Sequence, residues 1–381
     1  MAGVLSLETP AEAPVQTAPR RSPLTIRSIG EILAMTFDDS EMILPNGYLA
    51  AGERTAICGM GGVGKSRLTM QLALCCRTGR DFVGWKTSGC HLRWLFLQTE
   101  NSCRRLQADL QPMLQDFSTE ERDAIIAGIS FHTLEEDDDG FLFLDSENLA
   151  RISAAIEQTQ ADIVVYDPLR DFGTDDLNSD KHMTDTLREI GRLTRRGNPR
   201  RVPLVIHHAG TGKAGIQKAT GFDRSSFGRN SKVLFGWVRA QINVAPARPD
   251  DNSLLIMASG KCSNSPEFEP FAIRLDPETM LYQNVPDFDF EEWRESVHVQ
   301  GSAADKLTVE AVLELLPETG SISKNSVVEK LGDQGIGGKR TRAFLDSITS
   351  ESGPVYEWRL KRPGRRDDIH LSCCAQIDAP R

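Results

Sequence analysis

Between Ala56 and Leu68 the chain reads AICGMGGVGKSRL, and the segment GMGGVGKS inside it satisfies G-x-x-x-x-G-K-[ST] through Gly59, Gly64, Lys65 and Ser66. The run RTAIC, which reads as a strand, leads into it, and a helical pattern from Lys65 to Thr78 leads out. That context gives the spacing its meaning, because glycines let backbone N–H groups close around phosphate at the start of a helix. Gly59, Met60, Gly61, Gly62, Val63, Gly64, Lys65, Ser66 and Arg67 are therefore the expected nucleotide-binding residues. Lys65 is expected to reach the β- and γ-phosphate oxygens, and the Ser66 hydroxyl to ligate Mg²⁺. A strand feeding such a helix needs neighbouring strands and a covering layer, so the loop points to an α/β fold.

The rest of the chain supplies those strands. RWLFLQ (93–98), DIVVYD (162–167), VPLVIHH (202–208), VLFGWVRAQI (233–242), SLLIMAS (253–259) and FAIRLD (271–276) all read as β-runs. Helical patterns over 103–116, 148–160 and 181–195 separate the early ones, which predicts parallel βαβ units. Several of these strands are apolar throughout, as strands covered on both faces should be. The later ones follow each other without long helices, so the far edge of the sheet is expected to be antiparallel. Residues 1–23, rich in Ala, Pro and Thr, read as a disordered leader. An α/β domain over 24–286, a linker over 287–304 and a small domain over 305–375 complete the expected organisation.

Composition narrows the partners. Hydrophobic residues make up 39% and charged residues 26%, enough for a globular core. The net charge is −10, and residues 305–381 hold twelve basic against twelve acidic side chains. Any contact with a polyanion must therefore come from local patches. The eight cysteines show no C-x-x-C pair and no zinc spacing, which fits free thiols in a reducing compartment. No stretch has the apolar length of a membrane span, so the expectation is a cytoplasmic protein with no membrane partner.

A phosphate loop needs a carboxylate for its metal shell, and Asp167 ends the apolar run IVVYD where that carboxylate belongs. Hydrolysis needs a group to orient or deprotonate water, and Glu100, just after LFLQT, falls at the same sheet edge. The alternative for Glu100 is a helix-start carboxylate, since Asn101 and Ser102 can cap. GTGKAG (210–215) resembles a second phosphate loop, but Ala214 follows Lys213 and offers no hydroxyl for magnesium. The strand before it brings His207 and His208 to the sheet edge, where one can sense the γ-phosphate. Otherwise one is buried and one exposed, with no role. Lys213, Lys218 and Arg224 lie on the loop that follows and can neutralise backbone phosphates without reading bases. A plain surface loop is the alternative.

In order along the chain, the glycine loop, LQTEN, VYDPLRDF, VIHHAG and FGRNSKVLFGWVRAQ resemble the RecA-like P-loop ATPases. Among these AAA-family ATPases the pattern is most similar to hexameric plasmid replicative helicases of the RepA type, over roughly residues 24–280. The resemblance implies a RecA-like fold with a mostly parallel central sheet, ATP as substrate, Mg²⁺ as cofactor, and a homo-hexamer with single-stranded DNA in its channel. It also implies roles. Glu100 matches the catalytic glutamate, Asp167 the Walker B aspartate, and His207 or His208 the sensor, with His208 favoured. Arg239, in GWVRAQ, matches an arginine supplied across the subunit interface. Lys261, in GKCSN, stands where a second basic finger belongs. Arg229 matches the arginine of a segment that usually reads R-G-S and here reads R-N-S.

After the linker, DKLTVEAVLELL, SKNSVVEKL and GGKRTRAFLDSI read as three helices, and VYEWRLKRPGRRDDIHLS as a hairpin. Together they make a winged-helix-like segment. Lys339, Arg340 and Arg342 open the third helix, while Lys361, Arg362, Arg365 and Arg366 crowd the hairpin. The segment is either a duplex-DNA reader with a basic wing or a protein-docking module. The whole pattern predicts an ATP-hydrolysing oligomeric motor on DNA, a replicative helicase or related replication protein of a plasmid, phage or mobile element. The rival reading is an ATP-dependent switch that holds DNA or a partner without unwinding. A small-molecule kinase would need neither Arg239 in trans nor this tail.

Overall fold

The computed structural model describes residues 25–133, 141, 145–173, 177, 179–209, 219–220, 224, 227–228, 231–248, 251–294, 307–317, 321–333, 336–349, 355–360 and 368–373. The chain divides into two compact units, one ending at Asp39 and one beginning at Ser40. In the first, Ser28 caps α1 (Ile29–Leu33) reciprocally: its hydroxyl accepts the Glu31 N–H, and the Glu31 carboxylate accepts the Ser28 N–H.

The second unit opens with a hairpin of β1 (Met42–Leu44) and β2 (Leu49–Ala50) and is built on a nine-stranded sheet. Six strands of it are parallel: β3 (Thr55–Gly59), β4 (Trp94–Gln98), β5 (Ile129–His132), β6 (Ile163–Asp167), β7 (Val202–His208) and β8 (Ala240–Arg248). They lie in the order β8-β3-β7-β6-β4-β5. Beyond β8 the sheet continues antiparallel through β9 (Asp251–Cys262), β10 (Phe271–Leu275) and β11 (Tyr282–Val285). A mostly parallel sheet with an antiparallel far edge is what the helix spacing predicts. One strand, β7, is inserted between the strand that feeds the glycine loop and the strand that ends in Asp167.

Both faces are covered, which is why the central strands carry no polar alternation. On one face α2 (Lys65–Thr78), α3 (Cys103–Met113) and α4 (Thr119–Gly128) set Leu68, Leu72, Leu106 and Ile125 against Ile57, Phe96, Val165 and Ile206. On the other, α5 (Ser146–Thr159) and α6 (Asp180–Thr194) set Ile152, Ile156, Leu187 and Ile190 against Ala56, Leu97, Val164 and Val205. Cys58, Cys75 and Cys76 are buried free thiols within these layers.

One predicted strand is wrong in part. Residues 233–242 read as a single β-run, yet α7 (Ser231–Trp237) is helical and β8 begins only at Ala240. Leu234 and Val238, four residues apart, are both fully buried in the second core, which is helical spacing. The short helix α4 and the edge strand β5 carry no strong sequence signal, and the pattern of the chain does not announce them.

In the C-terminal region, α8 (Val309–Leu313), α9 (Lys324–Asp333) and α10 (Gly338–Ile348) accompany β12 (Ile322–Ser323), β13 (Tyr356–Leu360) and β14 (Asp368–Ser372). The three strands pair antiparallel in the order β12-β14-β13. Val312, Val327, Leu331, Leu345 and Leu371 form a core of their own. Lys324, nearly buried, ties α9 to α10 and β13 through Asp346 and Glu357.

Candidate nucleotide site

The parallel strands all end at one edge of the sheet, and the turns after β3, β4, β6 and β7 surround a cleft of about 220 Å³ there. Gly62 and Gly64, on the loop from Met60 to Gly64, line it. Gly64 sits at φ +81°, in the left-handed region, and a Cβ there would lie 2.0 Å from the Tyr282 hydroxyl. At Gly59 a Cβ would meet the Val244 carbonyl at 2.6 Å, so the loop can only leave the sheet as glycine. Gly64 is the N-cap of α2 and provides no side-chain cap, which leaves the helix's first N–H groups for an anion.

Lys65 is buried, and its Nζ donates to the Met60 carbonyl at 2.7 Å, folding the side chain back under the loop. Burial lowers its pKa, while Asp167, Cys58 and Glu100 act in the opposite direction. Asp167, at the end of β6, is also buried, and desolvation pushes it up to about 6 against the pull of the Ser66 hydroxyl hydrogen-bonded to it. A hydroxyl and a single carboxylate at the base of an anion cleft suit Mg²⁺, which keeps waters and takes phosphate oxygens. Among the described residues no cluster of three His, Cys, Asp or Glu side chains offers a complete metal cage.

Glu100 stands two residues beyond β4, on a turn locked by Gln98. The Gln98 amide donates to the Asn101 and His132 carbonyls and accepts the Asn101 N–H at 2.8 Å. The Glu100 carboxylate accepts from Arg170 at 2.8 Å and lies 3.8 Å from His208 Nε2. At that distance the histidine contact is electrostatic. His208 first, then Arg170 and Lys65, holds Glu100 below the ordinary carboxylate range despite its partial burial.

The two adjacent histidines separate as strand geometry requires. His208 opposes Gly59 across β3 and lines the cleft, with Nε2 buried and without a hydrogen-bond partner among the described residues. His207 opposes Cys58 and is buried on the other face, its ring packed against Gly228. Gly62, Ser66 and Arg67 line the cleft as well, while Gly59 ends β3 and Val63 is buried in the core. Four cleft residues, Met70, Asn101, Arg105 and Asp109, carry no motif that marks them in the sequence. Asp109 binds both Arg67 and Arg105 at 3.1 Å. Arg170 stands beside them on the turn after β6.

Arg239 and Lys261 lie elsewhere. Ala240 pairs with Thr55 and Val244 with Gly59, so Arg239 sits at the far end of β3 and β8, roughly 15 Å from the phosphate loop. Its N–H donates to the Arg54 carbonyl. Lys261 donates to the Phe235 carbonyl at 2.7 Å and lies over the Phe235 ring, and Arg54 lies over Trp237. None of these three cations has an ion-pair partner among the described residues. Burial and then the neighbouring Arg239 lower Lys261. Arg54 is lowered by burial, Arg195 and Arg239.

Of the expected nucleic-acid contacts, Arg224 is engaged with Glu267. Lys339, Arg340 and Arg342 are exposed on α10. Lys213, Lys218, Arg229, Lys361, Arg362, Arg365 and Arg366 lie outside the described residues.

A glycine loop on the first strand of a doubly covered, mostly parallel sheet, with a carboxylate on the next-but-one strand, defines the α/β fold of a P-loop nucleotide-binding domain. Residues 19–214 match the family described as an AAA domain, and the chain belongs to it. Solved structures similar to this chain include a KaiC-like protein from the hyperthermophilic archaeon Pyrococcus horikoshii OT3, at 13% identity and a TM-score of 0.43, covering 65% of this chain and 94% of that one. Another is a structure described as an ATPase domain, at 12% identity and a TM-score of 0.44, covering 64% of this chain and 91% of that one. No curated protein matches the chain. Among the described residues no helix is long and apolar enough to cross a membrane.

Proposed function

We propose that this chain is an ATP-hydrolysing, oligomeric motor on DNA, of the RepA hexameric helicase type, with residues 305–375 as an appended winged-helix-like domain. The observation that carries the oligomer is the separation of charges along β3 and β8. The phosphate cleft opens at one end, and Arg54, Arg239 and Lys261 gather at the other, none of them in an ion pair among the described residues. Cations so far from their own cleft are of use to the nucleotide of another copy.

Within the cleft, Lys65 and the α2 N–H groups hold the triphosphate, and Ser66 and Asp167 hold Mg²⁺, which neutralises phosphate charge when bound. Water attacks the γ-phosphorus, its proton passes to Glu100, and the bond to the β-phosphate oxygen breaks with its electron pair leaving on ADP. His208, whose buried Nε2 has no hydrogen-bond partner among the described residues and lies near Glu100, donates to the γ-phosphate. Lys65→Ala should weaken ATP binding roughly 10- to 100-fold, as expected for a lost charge-assisted contact. Equilibrium binding of a fluorescent ATP analogue measures this, and wild-type affinity would take Lys65 out of the phosphate cradle.

The deciding experiment is the ATPase rate with and without single-stranded DNA, alongside solution mass with and without ATP. Stimulation by DNA in an ATP-dependent ring supports the motor. A monomer indifferent to DNA removes it. The switch reading is favoured by one observation: Arg224 is neutralised by Glu267, so one expected channel cation is occupied. Removing residues 305–381 should leave hydrolysis largely intact, because the α/β region closes its hydrophobic cores without them. The same truncation should weaken duplex-DNA binding and flatten its salt dependence, as fewer phosphates are neutralised. Unchanged duplex affinity would favour a protein-docking role.

A further inference from the structure

We infer that Arg170 is a positioning residue for hydrolysis, clamping the Glu100 carboxylate in place beside the phosphate cleft through a ring of side chains closed between the turns after β4 and β6. The inference rests on the reading of Glu100 as the proton acceptor. Gln98 fixes the backbone of the first turn but does not touch the Glu100 side chain. That side chain is 42% exposed, and a carboxylate on three rotatable bonds does not stay aimed by itself.

Arg170 supplies the missing constraint. Its Nη2 donates to Glu100 Oε1 at 2.8 Å while its Nε donates to Asp171 Oδ1 at 3.0 Å. The other Asp171 oxygen accepts the Thr99 hydroxyl. Thr99 adjoins Glu100 in the chain, so Thr99, Asp171, Arg170 and Glu100 close a ring. The Thr99 N–H also donates to the Asp167 carbonyl at 3.2 Å, joining the same two turns through the backbone. The base of the clamp is rigid, since Leu169 and Phe172, on either side of Arg170 and Asp171, are fully buried. His208 cannot replace it, because 3.8 Å exceeds hydrogen-bond reach. With Oε1 held by the guanidinium, the second carboxylate oxygen remains for water.

An exposed ion pair of this kind adds little to stability, so a merely structural role predicts almost no effect on turnover. Positioning predicts a split. Arg170→Ala should keep its ATP affinity and KM within about twofold and lose on the order of tenfold in kcat, by analogy with residues that orient catalytic ligands. Arg170→Lys should recover part of the loss and Arg170→Gln less. In single turnover, adding Arg170→Ala to Glu100→Gln should cost nothing further, because the group it positions is gone. A folded Arg170→Ala protein with wild-type or raised kcat overturns the inference. So does an equal loss in both backgrounds. If the alanine variant does not fold, wild-type kcat in both Lys and Gln variants overturns it, and graded loss supports it. Glu100→Gln at the wild-type rate is a different failure: it removes the proton acceptor itself, and the clamp with it.

Discussion

Glu100→Gln is expected to bind ATP as the wild type does and to lose about 10²- to 10⁴-fold in turnover, the range that a positioned general base contributes. Gln keeps the size of the side chain and can still accept from Arg170, so the ring of contacts around it survives. What it loses is the negative charge that takes the proton from water. The carboxylate is suited to that task, because His208, Arg170 and Lys65 hold it ionised at neutral pH. Its pKa lies below the ordinary value, so the base is present throughout the neutral range and is lost only in acid. Binding measured by equilibrium titration and turnover by phosphate release should therefore separate cleanly. If both stay at wild-type values, Glu100 is a helix-start carboxylate and another group handles the water.

Arg239→Ala should also bind nucleotide normally, and should lose on the order of 10³-fold in hydrolysis, by comparison with arginine fingers supplied from a partner. A thousandfold corresponds to about 4 kcal/mol of transition-state charge stabilisation. The residue cannot act on its own cleft, which opens at the other end of β3 and β8. Mixing Arg239→Ala with Lys65→Ala subunits tests the composite site directly. In a mixed ring the intact phosphate loop of one variant meets the intact arginine of the other, and some activity should return. A mixture that demonstrably co-assembles and remains as inactive as its components would leave Arg239 a strand-end cation with no catalytic reach. Arg54 and Lys261 belong to the same group of cations, and their alanine variants should show smaller losses in the same direction.

Much of this site is legible in sequence because its pieces are local. Gly59 to Ser66 constrain one another within a single loop through backbone sterics, and the apolar runs before Asp167 and His207 end where a parallel strand must end. A short apolar run, by contrast, leaves the period undecided. VLFGWVRAQI is apolar enough to suit either a buried strand or a buried helix. Only the packing of Leu234 and Val238 into the second core made its first half helical.

The sequence by itself determined the phosphate loop, the parallel α/β sheet and the carboxylates at its edge, because each follows from short-range stereochemistry and hydrophobic pattern. Only the tertiary structure decided which histidine faces the cleft, since the register of β7 against β3 turns His208 one way and His207 the other. It alone brought Arg170 onto Glu100, seventy residues apart in the chain. It also carried Arg239 to the opposite end of the sheet, because parallel pairing of β8 with β3 fixes both ends of the strand at once. Contacts between distant segments depend on how layers pack, and no spacing along a single chain encodes that.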